Sequence, residues 1–492
     1  MKTGFVPSRP RKMGRYIAYR TYFILLCGMY LLLVFMFHGR LQVEIQQTQN
    51  IDEIVRHKHQ NVSIIRNKKK YHLLHHPQTT THHTSINYKT LKTVNNCFTQ
   101  PDSTKFKFID VMKETFYVYS AYYDDRYSEP SVRIMSLLSK IIKSKINIYC
   151  YFNQSNFSKR TNASIYEMCE NHNRKYGGYI ISCPVPNIVK HPCNVSIKFE
   201  FPERKFISKE VTLNVIKIDP GSSKYKFGVC VPPLFGNVQK ESLVEFIELT
   251  RILGAEHFIF YDYHILSSDF HMVLEYYRKR NIVTVIPWKL PSVVTEPLIW
   301  YHGQLIAHND CLYRSMSLLN VLGIMDMDEF VIPRNDTLSW KQVILPMLVG
   351  NVVGLRFPIM EMMAVPKLIT AGSLTRTKQL SKIRTKIMVK PHLIFEVGIH
   401  HVSKPAKENY TIQAVDSNVA FLHHYRKCVS NYGMKCSDRI TDSTALKYSK
   451  QLLTNYYNVL ASYRNKIIAI LTTNRSITVI IGFVKCCISI NV

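Results

Sequence analysis

Acidic residues are scarce in this chain. Asp and Glu number 34 against 64 Lys and Arg, for a formal net charge of +30. Such an imbalance favours polyanionic partners: nucleic acid, an anionic membrane or a nucleotide diphosphate. Glycine and proline are modest, at 18 and 21, which rules out collagen-like and low-complexity chains. Charged residues reach only 20% and hydrophobic residues 46%, so wholesale disorder is excluded and a core can be buried. At 492 residues the chain exceeds one ordinary domain and implies two, or one large domain with appendages.

Residues 1–20 hold six Lys and Arg and no acid, and Thr21–Phe37 (TYFILLCGMYLLLVFMF) holds no charge at all. With the semi-apolar Tyr16–Tyr19, that run reaches the ~20 residues needed to cross a bilayer. No small-residue cleavage site follows it, so a retained anchor is expected rather than a signal peptide. The basic flank leaves Met1 in the cytosol by the positive-inside rule. The expected topology is therefore type II: a tail over 1–20, an anchor over 21–37 and everything beyond on the luminal side. A polar, irregular stem is expected over 38–110. It holds Lys68-Lys69-Lys70 and seven histidines between His57 and His83. Eight N-x-Ser/Thr sequons follow the anchor, with Asn153, Asn156 and Asn162 clustered. Eleven of the twelve cysteines also lie beyond it, and in an oxidising lumen most would pair. No close cysteine pair has the x₂ spacing with a matching second pair that a zinc site would show. A luminal chain does not meet DNA, so nucleic acid is excluded as a partner.

Beyond the stem the texture becomes that of a folded domain. Phe116–Tyr122 reads as a buried strand, Ser131–Lys145 as a helix, and Ile146–Phe152, Asn194–Phe201 and Glu210–Ile218 as strands. Residues 111–225 form a smaller, disulfide-bearing region on this reading. From Phe227 the pattern alternates: strand Phe227–Val231 closed by Pro232-Pro233, helix Glu241–Leu253 stopped by Gly254, strand His257–Tyr261, a helix from Ser267–Asp269 through Arg280, strand Ile282–Ile286, helix Gln304–Ser315 and strand Val321–Met325. This order predicts an α/β fold, a mostly parallel sheet with helices on both faces. Ligands in such sheets bind beyond the carboxyl ends of the strands, where Asp326-Met327-Asp328 falls.

In an extended chain residues i and i+2 point the same way, so Asp326 and Asp328 would project into one small volume. Like charges there repel unless a cation lies between them. A hard divalent ion, Mn²⁺ or Mg²⁺, held by carboxylate and diphosphate oxygens would meet that need. The alternative is an acidic turn at a strand end, capped by backbone N–H groups.

Ten segments in order resemble glycosyltransferase family 92: Val118–Arg126, Phe227–Gly236, Leu243–Tyr263, Val273–Tyr277, Val283–Trp288, His302–Arg314, Met325–Phe330, Lys386–Pro391, Val397–Val402 and Leu422–Arg426. The resemblance implies a GT-A-like nucleotide-sugar-binding catalytic domain, placed here over 226–440, with a C-terminal segment over 441–492. It implies a Golgi membrane enzyme of type II topology. It also implies Mn²⁺-dependent transfer of galactose from UDP-galactose to a glycan or glycoprotein acceptor, with inversion. Under it Asp326 and Asp328 are metal and nucleotide-sugar carboxylates and His400 is the distal metal ligand, with His401, His423 and His424 competing. Asp310, beside Asn309, would hold the ribose or sugar hydroxyls, or be a helix-end polar group. Arg426 would clamp the diphosphate, since guanidinium pairs phosphate bidentately. Asp124, Asp125 and Arg126 would close the uracil side, or form an internal ion pair. Inversion needs a general base; Glu361 is the first choice, followed by Glu396 and Asp416. Phe357–Ser381 departs from the family's pattern, with Met360, Met362, Met363 and Pro366 in place of an aromatic, glycine-containing stretch. A scaffold that binds glycans without turnover is the alternative function. Trp288 and Trp300 are candidates for sugar stacking, Trp288 being better suited to the core. The apolar run Ile477–Val484 is too short to span a bilayer.

Overall fold

The computed structural model describes residues 107–473, apart from 113–114, 141–145, 155–156, 203–205, 364–367 and 430–432. The expected tail, anchor, most of the stem and the run Ile477–Val484 lie outside the described residues. Among the described residues no helix is long and apolar enough to cross a membrane.

Two sheets carry the fold. The first comprises β1 (Ile109–Met112), β2 (Phe116–Asp124), β3 (Ser131–Ser139), β4 (Asn147–Gln154), β5 (Phe157–Asn162), β6 (Ser164–Glu167), β7 (Tyr176–Pro184), β8 (Asn194–Phe201), β9 (Phe206–Ile207) and β10 (Val211–Lys217). Its main path runs β5-β4-β8-β10-β2-β3-β7-β6. Pairing is antiparallel except at β10–β2. The helix expected over Ser131–Lys145 is instead β3, hydrogen-bonded to β2 on one side and to β7 on the other. A strand buried on both faces is a near-continuous apolar run, which periodicity cannot tell from a buried helix. Pairing on both edges decided it. Cys150–Cys183 ties β4 to β7.

The second sheet begins with β11 (Tyr225–Gly236), followed by helix α1 (Lys240–Leu253), β12 (His257–Ile265), α2 (Ser268–Arg278), β13 (Val283–Pro287), α3 (Gln304–Ser315) and β14 (Leu319–Ile324). These four strands pair in parallel in the order β13-β12-β11-β14. The chain continues through β15 (Glu329–Pro333), α4 (Trp340–Met347), β16 (Val352–Met362), short helix α5 (Ile369–Gly372), β17 (Thr375–Thr377) and β18 (Ser381–Val389). It ends with β19 (Ile394–Val397), β20 (Val402–Pro405), β21 (Thr411–Ala414), β22 (Ala420–Tyr425), β23 (Arg439–Thr441) and α6 (Ser449–Thr473). β18 joins β14 antiparallel, and β16 lies beside β18 and β22. The sheet is thus mixed rather than mostly parallel. The alternation of strand and helix that signals parallel pairing stops at β14, and hairpin-like returns follow.

Three apolar layers stack against the two sheets. Phe116, Val118 and Ala121 of β2 face one core with β4 and β8. Tyr119 and Tyr122 face a second core, shared with Cys230 of β11, Ile259 of β12 and Leu305, Ile306 and Leu312 of α3. Val229 and Val231 face a third, filled by α1, α2 and α6. Alternate residues of one strand serve opposite cores because strand side chains alternate. Gly254 ends α1 at φ 126°, where its N–H reaches the Thr250 and Arg251 carbonyls; only glycine takes that backbone without strain. The strand expected to close at Pro232-Pro233 continues to Gly236, with irregular register between Val231 and Phe235. Proline is tolerated in a strand at such a bulge, and the bulge turns this end of β11 toward the site.

Candidate functional site

At the carboxyl end of the parallel strands a cavity of about 900 Å³ opens. Its lining includes the β11 bulge (Pro232–Phe235), Trp300, Tyr301 and Gln304 before and in α3, Asp326–Glu329, Arg384, His400, His401, His424, Arg426, Glu170 and His172. The structure therefore brings Asp326, Asp328, His400 and Arg426 to one space.

Residues 326–329 form a turn, not an extended strand. The Glu329 N–H donates to the Asp326 carbonyl at 3.1 Å, and the Asp326 N–H donates to Glu329 Oε2 at 2.9 Å. Beneath this turn lies a cation the sequence reading did not single out. Lys386 of β18, with its side chain 1% exposed, places Nζ 2.9 Å from Asp326 Oδ2 and 3.0 Å from Glu329 Oε2. Burial works against the lysine's charge, but the two carboxylates hold its pKa above the usual value. Burial alone would raise the Asp326 carboxyl; Lys386 outweighs it and brings it down to about 2. Glu329 is raised, by burial first and then by the neighbouring aspartates. His424 lies 3.4 Å from Asp328 and 3.8 Å from Glu329. Burial disfavours its cation, yet these carboxylates raise its pKa. The repulsion expected between the motif's carboxylates is thus already relieved by Lys386 and His424.

His400 follows β19. Its Nδ1 lies 3.1 Å from the Thr385 carbonyl, an acceptor, so Nδ1 carries the proton. Burial and then Lys386 lower its pKa to about 4. The ring is therefore neutral at neutral pH, with its lone pair on Nε2, the state a metal ligand needs. Carboxylate and imidazole donors suit Mn²⁺ or Mg²⁺ in type. The donor atoms of Asp326, Asp328 and His400 do not, however, converge within 4.8 Å among the described residues, and one Asp326 oxygen is committed to Lys386. The fit is one of donor chemistry, not of converged geometry.

The wall opposite in character is aromatic. Trp300 packs against His172 at a tilt of 32°, with ring centroids 4.1 Å apart. Tyr301 and His302 take left-handed backbone, φ 42° and 56°, which turns the chain sharply into α3. Tyr301 is 49% exposed, and its hydroxyl pKa is raised by burial and by Asp326 and Asp328. Trp288, by contrast, is core: its Nε1 donates to the His302 carbonyl at 2.8 Å.

Other expected site residues are placed elsewhere. Asp310 is wholly buried. It accepts hydrogen bonds from Ser120, Tyr122 and Tyr261 and pairs with Arg314 at 3.0 Å. It joins α3 to both sheets and does not line the cavity. Asn309 is likewise spent, holding the Val397 backbone on both sides. Asp124 is buried between Arg126 (2.7 Å) and Arg133 (3.0 Å). Arg126 also donates to the His392 and Ile394 carbonyls, so this pair is an internal latch rather than a uracil clamp. Glu361 is 2% exposed, outside the cavity lining, and accepts from the Val429 N–H at 2.9 Å. Glu396 is buried, held by Tyr166 and by the Cys169 N–H. Asp416 closes a turn by accepting from the Asn418 N–H. His423 is buried against Tyr425. Outside the 326–329 turn, the carboxylate in the lining is Glu170. Lys386 and Glu329 sit inside two of the resembling segments, Lys386–Pro391 and Met325–Phe330. No local signal marks Lys386 as buried, since Lys382, Arg384 and Lys390 lie close by in the sequence.

The family model of glycosyltransferase family 92 matches residues 225–456. Beta-1,4-galactosyltransferase galt-1 of Caenorhabditis elegans is 28% identical over 337 residues, covering 66% of this chain and 77% of that protein. Galactan beta-1,4-galactosyltransferase GALS3 of Arabidopsis thaliana is 22% identical over 48% of each chain. A further family 92 protein of C. elegans is 27% identical over 22% of each. The matched stretch holds the cavity's Asp326–Glu329 turn, Lys386, His400, His424 and Arg426: residues 225–456 of this chain are a glycosyltransferase family 92 domain.

Proposed function

We propose that the chain is a type II Golgi membrane enzyme that moves galactose from UDP-galactose to a glycan or glycoprotein acceptor, with inversion, on a GT-A-like domain. The observation that carries this reading is the cavity itself. Asp326, Asp328, His400 and Arg426 meet in it, at the strand ends where α/β sheets bind ligands. Two relatives named as beta-1,4-galactosyltransferases favour galactose as the transferred sugar.

On this reading Arg426 grips the diphosphate. Arg426 lines the cavity, and its guanidinium makes a long, 3.4 Å hydrogen bond to the neighbouring Lys427 carbonyl. Asp328 and His400 would hold Mn²⁺ or Mg²⁺, which would supply charge neutralisation for a diphosphate leaving group. Lys386 fixes Asp326 and Glu329, so the turn does not reorganise when the nucleotide enters. The aromatic wall of Trp300 and Tyr301 offers flat faces for a sugar ring. The base for inversion comes from the cavity's own lining, since Glu361 is committed to Val429.

The pairing of Asp326 with Lys386 and the lack of converged donors favour a second reading, binding without turnover. One experiment separates them. The purified full chain is given a panel of UDP-sugars, with and without Mn²⁺, on glycan acceptors, and UDP release is followed beside Asp328→Ala. Mn²⁺-dependent release from UDP-galactose, lost in the variant, supports transfer. UDP-sugar binding by calorimetry with no release on any acceptor supports the scaffold reading.

A further inference from the structure

A second cluster of donor atoms sits at the edge of the same cavity, built from segments far apart in the chain. Cys169 and Glu170 follow β6; His401 and Ser403 lie in the β19–β20 hairpin. Cys169 Sγ is 3.9 Å from His401 Nε2, across 232 residues of sequence, and 2.8 Å from Ser403 Oγ. His401 Nδ1 is 3.9 Å from Glu170 Oε1. One ligand atom from each of Cys169, Glu170 and His401 lies within 4.8 Å of the other two.

The surroundings hold this cluster in place. The Ile399 N–H donates to Glu170 Oε2. The Cys169 N–H donates to Glu396 at 2.8 Å. Gly398 leaves the room: a Cβ there would stand 2.4 Å from Glu170 Oε2 and 2.8 Å from His401 Cε1. Any larger residue would force the carboxylate and imidazole apart. Among the described residues Cys169 is the free cysteine, the others being in disulfides. In a chain so rich in disulfides, a thiol beside an imidazole and a carboxylate has the donor set of a borderline metal ion, S, N and O. Cysteine-pair spacing could not reveal it, because each ligand comes from a single position.

We propose that Cys169, Glu170 and His401 bind a zinc-class divalent cation, with its fourth position open toward the cavity that Glu170 and His401 line. Binding forms the sulfur–metal bond and releases the Cys169 proton to solvent. The site shares its cavity with the Asp328–His400 pair but does not rest on the reading of that pair as a nucleotide-sugar site.

The test uses the full chain, purified reduced and stripped with a chelator, titrated with Co²⁺ and then with Zn²⁺. The wild type is expected to show a thiolate-to-cobalt charge-transfer band, which Zn²⁺ abolishes. The histidine-rich stretch at 57–83 can take up cobalt but has no thiolate to produce that band. Cys169→Ser should remove the band, and Glu170→Gln should weaken Co²⁺ at least tenfold. Asp328→Asn should keep both. Thermal melts of the variants control for folding. The proposal is overturned if the wild type shows no band, or if the band survives Cys169→Ser with unchanged affinity.

Discussion

Two buried charge networks in this molecule are made of similar parts and do different things. Around Asp310, a carboxylate, an arginine and three hydroxyls are sealed between the sheets. Around Lys386, a lysine, two carboxylates and a histidine are sealed on one side and open to a cavity on the other. In the first, every charge is spent on another protein group. In the second, Asp328 and Asp326 remain 42% and 35% exposed above the buried Lys386 and His424. Burial with full pairing makes a structural joint; burial on one side only makes a preorganised site.

Several changes would break or sharpen that contrast. The largest effect on stability is expected from Asp310→Ala. It removes the carboxylate that Arg314 and two tyrosine hydroxyls bond in the core and should cost ~3–5 kcal/mol in denaturant unfolding. Nucleotide-sugar affinity per folded molecule should stay unchanged; a folded variant with lost affinity would return Asp310 to the site. Lys386→Met leaves Asp326 and Glu329 facing each other. Because the carboxyls can take up a proton, the expected loss is smaller, ~2–3 kcal/mol, and greater at pH 8 than at pH 5. Equal losses at both pH values would mean that Lys386 does not balance those charges.

A third closed network supplies the pH arm of the contrast. Asp442 is buried against Arg376 at 2.7 Å and Arg334 at 3.2 Å. Burial alone would raise its carboxyl; Thr444, His423 and Arg376 outweigh it and bring it down to about 2. Its folded pKa lies below the unfolded value, so its contribution is present above about pH 4 and is lost as pH falls toward 2. That contribution is ~2 kcal/mol. Asp442→Asn should flatten the stability profile over that window, and an unaltered slope would refute the assignment. The smallest stability effect belongs to the open network. Asp328→Asn should stay within about 0.5 kcal/mol of wild type, yet weaken metal-supported UDP-sugar binding at least tenfold by calorimetry. A large stability loss there would make Asp328 a structural group like Asp310.

The legibility of these features in the sequence follows their physics. Helix α3 was readable to its ends, and α1 to within a residue, because amphipathic spacing and Gly254 are local signals. The Asp326–Asp328 motif was readable for the same reason, and the turn it forms is one of the two conformations its sequence left open. β3 was misread because a strand buried on both faces has no period to display. Asp310, Asp124 and Glu361 drew attention as acids in striking local contexts. Asp310 and Asp124 proved to be paired with arginines close in the sequence, Arg314 and Arg126, and Glu361 to accept from the distant Val429 N–H. Nothing in HNDCLYR tells that Tyr122 and Tyr261 will meet Asp310.

By itself, then, the sequence determined what depends on neighbours within a few residues. That covers the strand–helix alternation of residues 225–325, the helix stops, the acidic motif at the end of β14 and the family to which it belongs. Only the tertiary structure decided which charges are spent and which are available. It put Lys386 under Asp326, drew Arg426 and His400 to the same cavity, and set Cys169 beside His401. Those outcomes turn on burial and on contacts between residues tens to hundreds of positions apart. The free energy of a charge depends on its solvent exposure and its nearest counter-charge, and neither is a property of the local sequence.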